Sequence, residues 1–103
     1  MDSNTDTRKI AEDFVQACIQ KGIPVKTAIL FGSCAKGTND SNSDIDIALV
    51  ADTFGKNIIN NARQTASVIY EYYDVEVHHF SPDEFESDDR FVREIKQTGI
   101  KIY

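Results

Sequence analysis

Two aspartates, Asp44 and Asp46, stand one residue apart at the head of the run Asp44-Ile45-Asp46-Ile47-Ala48-Leu49. On an extended chain, positions i and i+2 share a side and lie about 6.6 to 6.8 Å apart, so both carboxylates can converge on one cation. Brought to ~4 Å without compensation, they would repel by roughly 4 kcal/mol at an effective dielectric near 20, and a site that gathers them usually holds a divalent ion. Oxygen-only ligands suit Mg²⁺ or Mn²⁺. A lone Asp-x-Asp can equally be a solvated strand face, but here Ile45, Ile47 and Leu49 commit the opposite face to a core. Upstream, an apolar run ends at Gly32-Ser33. Glycine lets backbone N–H groups approach an anion closely and serine adds a hydroxyl donor, which is chemistry suited to phosphate; the same pair also makes an ordinary turn. The spacing is not that of a P-loop, whose terminal Lys-Ser/Thr is missing.

These residues need elements to hold them. Ile10, Phe14, Val15, Ala17, Cys18 and Ile19 recur at helical spacing, and Gly22 with Pro24 supplies a stop, predicting a helix over residues 7–21. Residues 25–31 read as a buried strand feeding the Gly32-Ser33 turn, residues 38–43 as a polar loop, and residues 44–50 as a second strand. Ile58, Ala62, Ala66 and Ile69 mark the stripe of a helix over residues 57–72. Val75, Val77 and His79 then alternate with Asp74, Glu76 and His78 on a third strand. Ser81-Pro82-Asp83-Glu84 has the form of a capping box with proline at the first helical position, opening a helix to about Gln97 with a break at Ser87. Gly99 ends it, and residues 100–103 suit a short edge strand. The expected fold class is α/β (α+β): a small mixed sheet of three or four strands packed by helices.

Composition narrows the function. With 103 residues the chain is expected to form a single domain, residues 1–103, since two cores would each approach the ~40-residue floor for unaided folding. Eleven basic against seventeen acidic residues give a formal charge of -6, which disfavours general nucleic-acid binding. No apolar run approaches the roughly 18 residues a membrane span needs, and the polar start lacks a secretory pattern, so a cytoplasmic location is expected. Cys18 and Cys34 are too few and too far apart for a disulfide scaffold and read as free thiols.

Gly32-Ser33, ten residues, then Asp44-x-Asp46 at the start of an apolar strand resembles the signature of the minimal nucleotidyltransferase family of the DNA polymerase β superfamily, in its antitoxin type. The order of elements and the terminal Gly99-Ile100-Lys101-Ile102-Tyr103 extend the resemblance over nearly the whole chain. It implies a metal-dependent transfer of a nucleoside monophosphate, AMP from ATP, to an acceptor hydroxyl. By the same resemblance, Asp44 and Asp46 are metal ligands and catalytic carboxylates, and Glu76 is the third, with Asp74 as its competitor on the same face. Gly32 and Ser33 hold the β- and γ-phosphates, Lys36 contributes charge to that turn, and Ser43 matches the serine that commonly precedes the aspartates.

Three positions depart from the family pattern. Glu76 replaces an aspartate, Lys36 an arginine whose bidentate fork suits phosphate, and Cys34 a second arginine. They leave open a second reading, a weak or inactive module that binds nucleotide or protein and neutralises its partner by contact. His78 and His79, being adjacent on a strand, face opposite ways and cannot share one metal; His78 falls beside Glu76 on the acidic face. The resemblance also implies a small helical HEPN-type partner in a toxin–antitoxin pair, adenylylated on a tyrosine. Homodimerisation is the rival way to close so small a site.

Overall fold

The computed structural model describes residues 3–36, 44–72 and 74–103. Helix α1 (Ser3–Gln20) turns Ala11, Phe14, Val15 and Cys18 inward, while Ile10 sits at the margin of that stripe, 37% exposed. Its stop is the one the sequence implies. Gly22 takes a φ of +95°, and the N–H groups of Gly22 and Ile23 donate to the carbonyls of Ile19 and Cys18, so the helix end leaves few orphan acceptors. Cys18 is a free, fully buried thiol whose pKa desolvation pushes up to about 12, which makes it a packing residue rather than a nucleophile.

The sheet is mixed. Strand β1 (Val25–Phe31) pairs antiparallel with β2 (Ile45–Ala51), and β2 pairs parallel with β3 (Val75–Phe80). Helix α3 (Ile58–Glu71) makes the crossover that a parallel pair requires. The two-residue β4 (Ile100–Lys101) joins the far side of β1, giving the order β3-β2-β1-β4. Four strands packed by helices match the expected fold class.

Strand alternation separates two cores. Ala28 and Leu30, with Ile45, Ile47, Leu49 and Ala51, face α1 and α3 and pack with Phe14, Cys18, Phe54 and Val68. Ile29, Phe31, Ala48 and Val50 face the other way and pack with Phe85, Val92 and Ile95. That second layer comes from α4 (Pro82–Phe85) and α5 (Arg90–Thr98), two helices where the sequence suggested one with a break; residues 86–89 separate them. The Ser81 capping box is formed, with Glu84 N–H donating to Ser81 Oγ at 3.1 Å and Ser81 N–H to Glu84 Oε1 at 2.8 Å. Asp89 caps α5 in turn, its carboxylate accepting from Val92 N–H.

Helix α3 is rotated from the expected stripe. Ile58 and Ile59 are 80% and 70% exposed, Ala62 and Ala66 are also exposed, and the inward face is Asn61, Thr65 and Val68, with Ile69 half-buried. The polar members can turn inward because each finds a partner. Asn61 accepts from Gly55 N–H at 3.0 Å and donates to Gly55 O at 2.7 Å, while Thr65 Oγ1 lies 2.8 Å from His79 Nε2. A buried polar group satisfied in this way escapes the desolvation penalty that would otherwise exclude it.

Candidate active site

The functional candidates gather where the C-terminal end of β1 meets the N-terminal ends of β2 and β3. Antiparallel register sets Phe31 beside Asp46, and parallel register sets Asp46 beside Glu76 and Ala48 beside His78. All three polar side chains emerge on the face that carries α4 and α5. Those helices cover Ala48 and Val50, leaving the Asp46 end of the face open. Glu76 stands on the edge strand and is exposed, and Asp46 is partly buried.

Asp46 offers a hydrogen bond to the protonated form of the Glu76 carboxyl. That bond raises the Glu76 pKa above the ordinary glutamate value; partial burial and the negative charges of Asp46 and Asp44 raise it further, and His78 pulls the other way. Concentrated negative charge of this kind is relieved either by a proton or by a cation. Ligand atoms of Asp46, Glu76 and His78 all lie within 4.8 Å of one another, a spacing that fits a divalent ion. Asp44, just before β2, is exposed and adds its charge to the same region. Asp74, the competitor for the third carboxylate, is also exposed and does not belong to this cluster.

Gly32 belongs to the site for a steric reason. Its φ is +77°, and a Cβ built there would lie 2.6 Å from Asp46 Oδ2. Any side chain would therefore meet both a strained backbone and the carboxylate itself. The turn runs directly into the single-turn helix α2 (Ser33–Lys36), with Ser33 partly buried at its start. The side chains of Cys34 and Lys36 lie outside the described residues, as do Gly37, the expected loop 38–43 and Ser43.

His78 is the member that the sequence signalled least. It stands two residues after Glu76, the spacing that places both on one face. Its Nε2 lies 3.3 Å from Asp46 Oδ1, with the ring N–H donating in the tautomer that carries the proton there. Phe31 packs edge-on against it at 5.0 Å between centroids, and Phe91 lies 5.8 Å away. His79 points to the opposite face, against Phe54 and Thr65.

The sequence matches the family described as "Polymerase beta, Nucleotidyltransferase" over residues 13–103. The chain belongs to that family of nucleotidyltransferase enzymes. Among curated relatives, a Methanocaldococcus jannaschii protein named as a candidate protein adenylyltransferase is 34% identical over 64 residues, which are 61% of this chain and 44% of that protein. The chain thus spans less than half the length of this relative. A crystal structure of a candidate nucleotidyltransferase from Sulfolobus solfataricus superimposes with a TM-score of 0.70 at 21% identity, covering 96% of this chain and 81% of that one. A Shewanella oneidensis complex of a tri-AMPylated HEPN toxin with an MNT antitoxin gives a TM-score of 0.60 at 18% identity, covering 93% and 71%. At these identities the two structures establish the nucleotidyltransferase fold. Among the described residues, no helix is long and apolar enough to cross a membrane.

Proposed function

We propose that this nucleotidyltransferase moves AMP from ATP to a hydroxyl of a partner protein, of the small helical HEPN type, in the cytoplasm. The observation that carries the reading is the convergence of the Asp46 and Glu76 carboxylates beside a turn whose glycine admits no Cβ. The clustered ligand atoms of Asp46, Glu76 and His78 suit a divalent cation, and the reading assigns Mg²⁺ or Mn²⁺ to Asp46 and Glu76, with Asp44 from the same region as a further ligand. When bound, such an ion neutralises charge on the attacking and leaving oxygens of the transfer.

The chain's own residues do the positioning. Gly32 and Ser33 receive the β- and γ-phosphates, and Lys36 and Ser43 extend that cradle. The acceptor oxygen forms a bond to the α-phosphorus while the bond from that phosphorus to the bridging oxygen breaks, releasing pyrophosphate. Glu76 takes the proton of the acceptor hydroxyl. Because β3 is an edge strand, this carboxylate faces solvent, and the electrostatic terms gain strength only when water is excluded. A partner surface docked over Asp44, Asp46 and Glu76 would provide that cover and bring its hydroxyl to ~3 to 3.5 Å from the phosphorus.

The partner assignment draws on the Shewanella complex, whose toxin is AMPylated, and on the adenylyltransferase name of the archaeal relative. The test is incubation of the chain with α-labelled ATP, divalent cation and a candidate helical partner, read by intact mass. Addition of AMP units to the partner is the expected result. Efficient transfer to a free small alcohol by the chain alone would overturn the partner reading.

A further inference from the structure

His78 raises a question that the carboxylates do not answer: what an imidazole is doing inside a site expected to be built from oxygen alone. Resting on the nucleotidyltransferase reading above, we propose that His78 is a direct nitrogen ligand of the cation, so that the site prefers a first-row transition ion such as Mn²⁺ over Mg²⁺. Three observations point this way.

The backbone puts His78 where a ligand must be. It shares a strand face with Glu76, and the neighbouring strand places Asp46 in register beside Glu76, so one donor from β2 and two from β3 meet at one point. The ring is also held in place. Phe31 and Phe91 pack against it, and the imidazole is only 28% exposed, so little rotamer freedom is left to lose on ligation.

The distance to Asp46 is also compatible with two ligands of one ion. A charge-assisted hydrogen bond that orients a carboxylate is typically ~2.7 to 2.9 Å, whereas His78 Nε2 sits 3.3 Å from Asp46 Oδ1. That is long for such a bond. It is close to the ~3 Å edge between adjacent ligands around an ion whose metal–ligand bonds are ~2.1 Å. With the ring proton on Nδ1, the lone pair of Nε2 is available to the ion. Mg²⁺ favours an all-oxygen shell and binds imidazole poorly, while first-row transition ions accept mixed nitrogen and oxygen donors.

The chain has only two histidines, and His79 lies on the other face of the sheet, so any imidazole signal at the metal has one natural source. The experiment is pulsed EPR of the full chain loaded with Mn²⁺, alone and with a non-hydrolysable ATP analogue, using protein whose histidines carry the heavy nitrogen isotope to separate ring nitrogen from that of adenine. Direct ligation should give a histidine nitrogen coupling that persists in His79→Gln and disappears in His78→Gln. Loss of this ligand should weaken Mn²⁺ binding by about tenfold or more and leave Mg²⁺ binding within about twofold. The isotope effect in the unmutated chain keeps the test decisive even if a variant folds poorly. Bound Mn²⁺ without histidine coupling would overturn the nitrogen ligand and leave the nucleotidyltransferase reading standing. Failure to bind either ion, with or without nucleotide, would overturn both.

Discussion

His78 and His79 are neighbours on β3 with opposite surroundings, and the contrast extends across the whole sheet. On the α1 and α3 face, His79 is enclosed by Phe54 and Thr65, and every strand contributes hydrocarbon to a continuous core. On the other face, α4 and α5 cover only part of the strands, and the remainder carries Asp46 and Glu76, whose negative charges repel when no cation is present, with His78 beside them. One face is organised to be stable. The other holds its charges together because the first face fixes the strand register beneath them.

The largest expected effect lies on the open face. Asp46→Asn should lower AMP transfer by about a thousandfold, roughly 4 kcal/mol in transition-state terms. The same substitution should leave the melting temperature of the metal-free chain unchanged or slightly higher, because it removes a negative charge that acts on Glu76. Transfer assays and thermal melts on one preparation check both halves. A melting temperature lowered by more than about 5 °C, which for a chain of this size is of order 1 kcal/mol, would mean that Asp46 is structural and would erase the contrast.

Next comes the closed face. Leu49→Ala removes a fully buried side chain next to His79 and should cost about 2 to 5 kcal/mol, out of a total stability of roughly 5 to 15 kcal/mol. Denaturant midpoints measure this. Activity per folded molecule should stay the same.

Titration separates the faces more finely. Burial, with a smaller contribution from the charge of His78, pulls the His79 pKa down to about 4 from the usual 6.5. The folded chain therefore binds fewer protons than the unfolded one between those values. The stability that neutral His79 contributes is complete above about pH 6.5 and is lost as pH falls toward 4. The loss should be about 2 kcal/mol, below the full linkage value because the ring is only partly buried. Glu76 has the opposite sign: its carboxyl is held above its ordinary value, so acid relieves repulsion on the open face. Urea midpoints at pH 7 and pH 4.5 should fall in the unmutated chain and fall less in His79→Gln. A parallel decline in both would assign the acid sensitivity to other groups.

The sequence was most legible where a rule is local. The strand carrying Asp46, the Gly22 stop and the Ser81 capping box each depend on a few adjacent residues, and each formed, although the strand begins at Ile45 and leaves Asp44 just before it. The tight turn at Gly32 was legible as a turn, but its reason, the Asp46 carboxylate 2.6 Å from where a Cβ would sit, is a contact between strands. The second core needed Phe85, Val92 and Ile95 to return over β1 and β2, which periodicity cannot show. His78 was placed on the right face, yet its approach to Asp46 depends on the parallel register of β2 and β3. Asp44 and Ser33 were expected to bear on the same chemistry, and their assignment to metal and phosphate stands with the proposed function.

The smallest effect tests the rotation of α3. An apolar stripe through Ile58, Ala62, Ala66 and Ile69 would put Ile58 in the core, where a charge would cost several kcal/mol. Its 80% exposure implies the reverse, because Asn61 and Thr65 hold the inward positions through Gly55 and His79. Ile58 is also the first residue of α3, and the first turn of that helix contains no acidic side chain. A carboxylate there faces the positive end of the helix dipole, and glutamate is at least as good a helix former as isoleucine. Ile58→Glu should therefore be neutral or stabilising by about 0.3 to 0.5 kcal/mol, read as a small upward shift in the urea midpoint at low salt that fades as salt is added. Val68→Glu, on the buried side of the same helix, should by contrast lower the midpoint steeply. If the two substitutions were equally damaging, the helix would have to present its apolar stripe to the sheet after all, and the hydrogen bonds of Asn61 and Thr65 would not be the contacts that set its rotation.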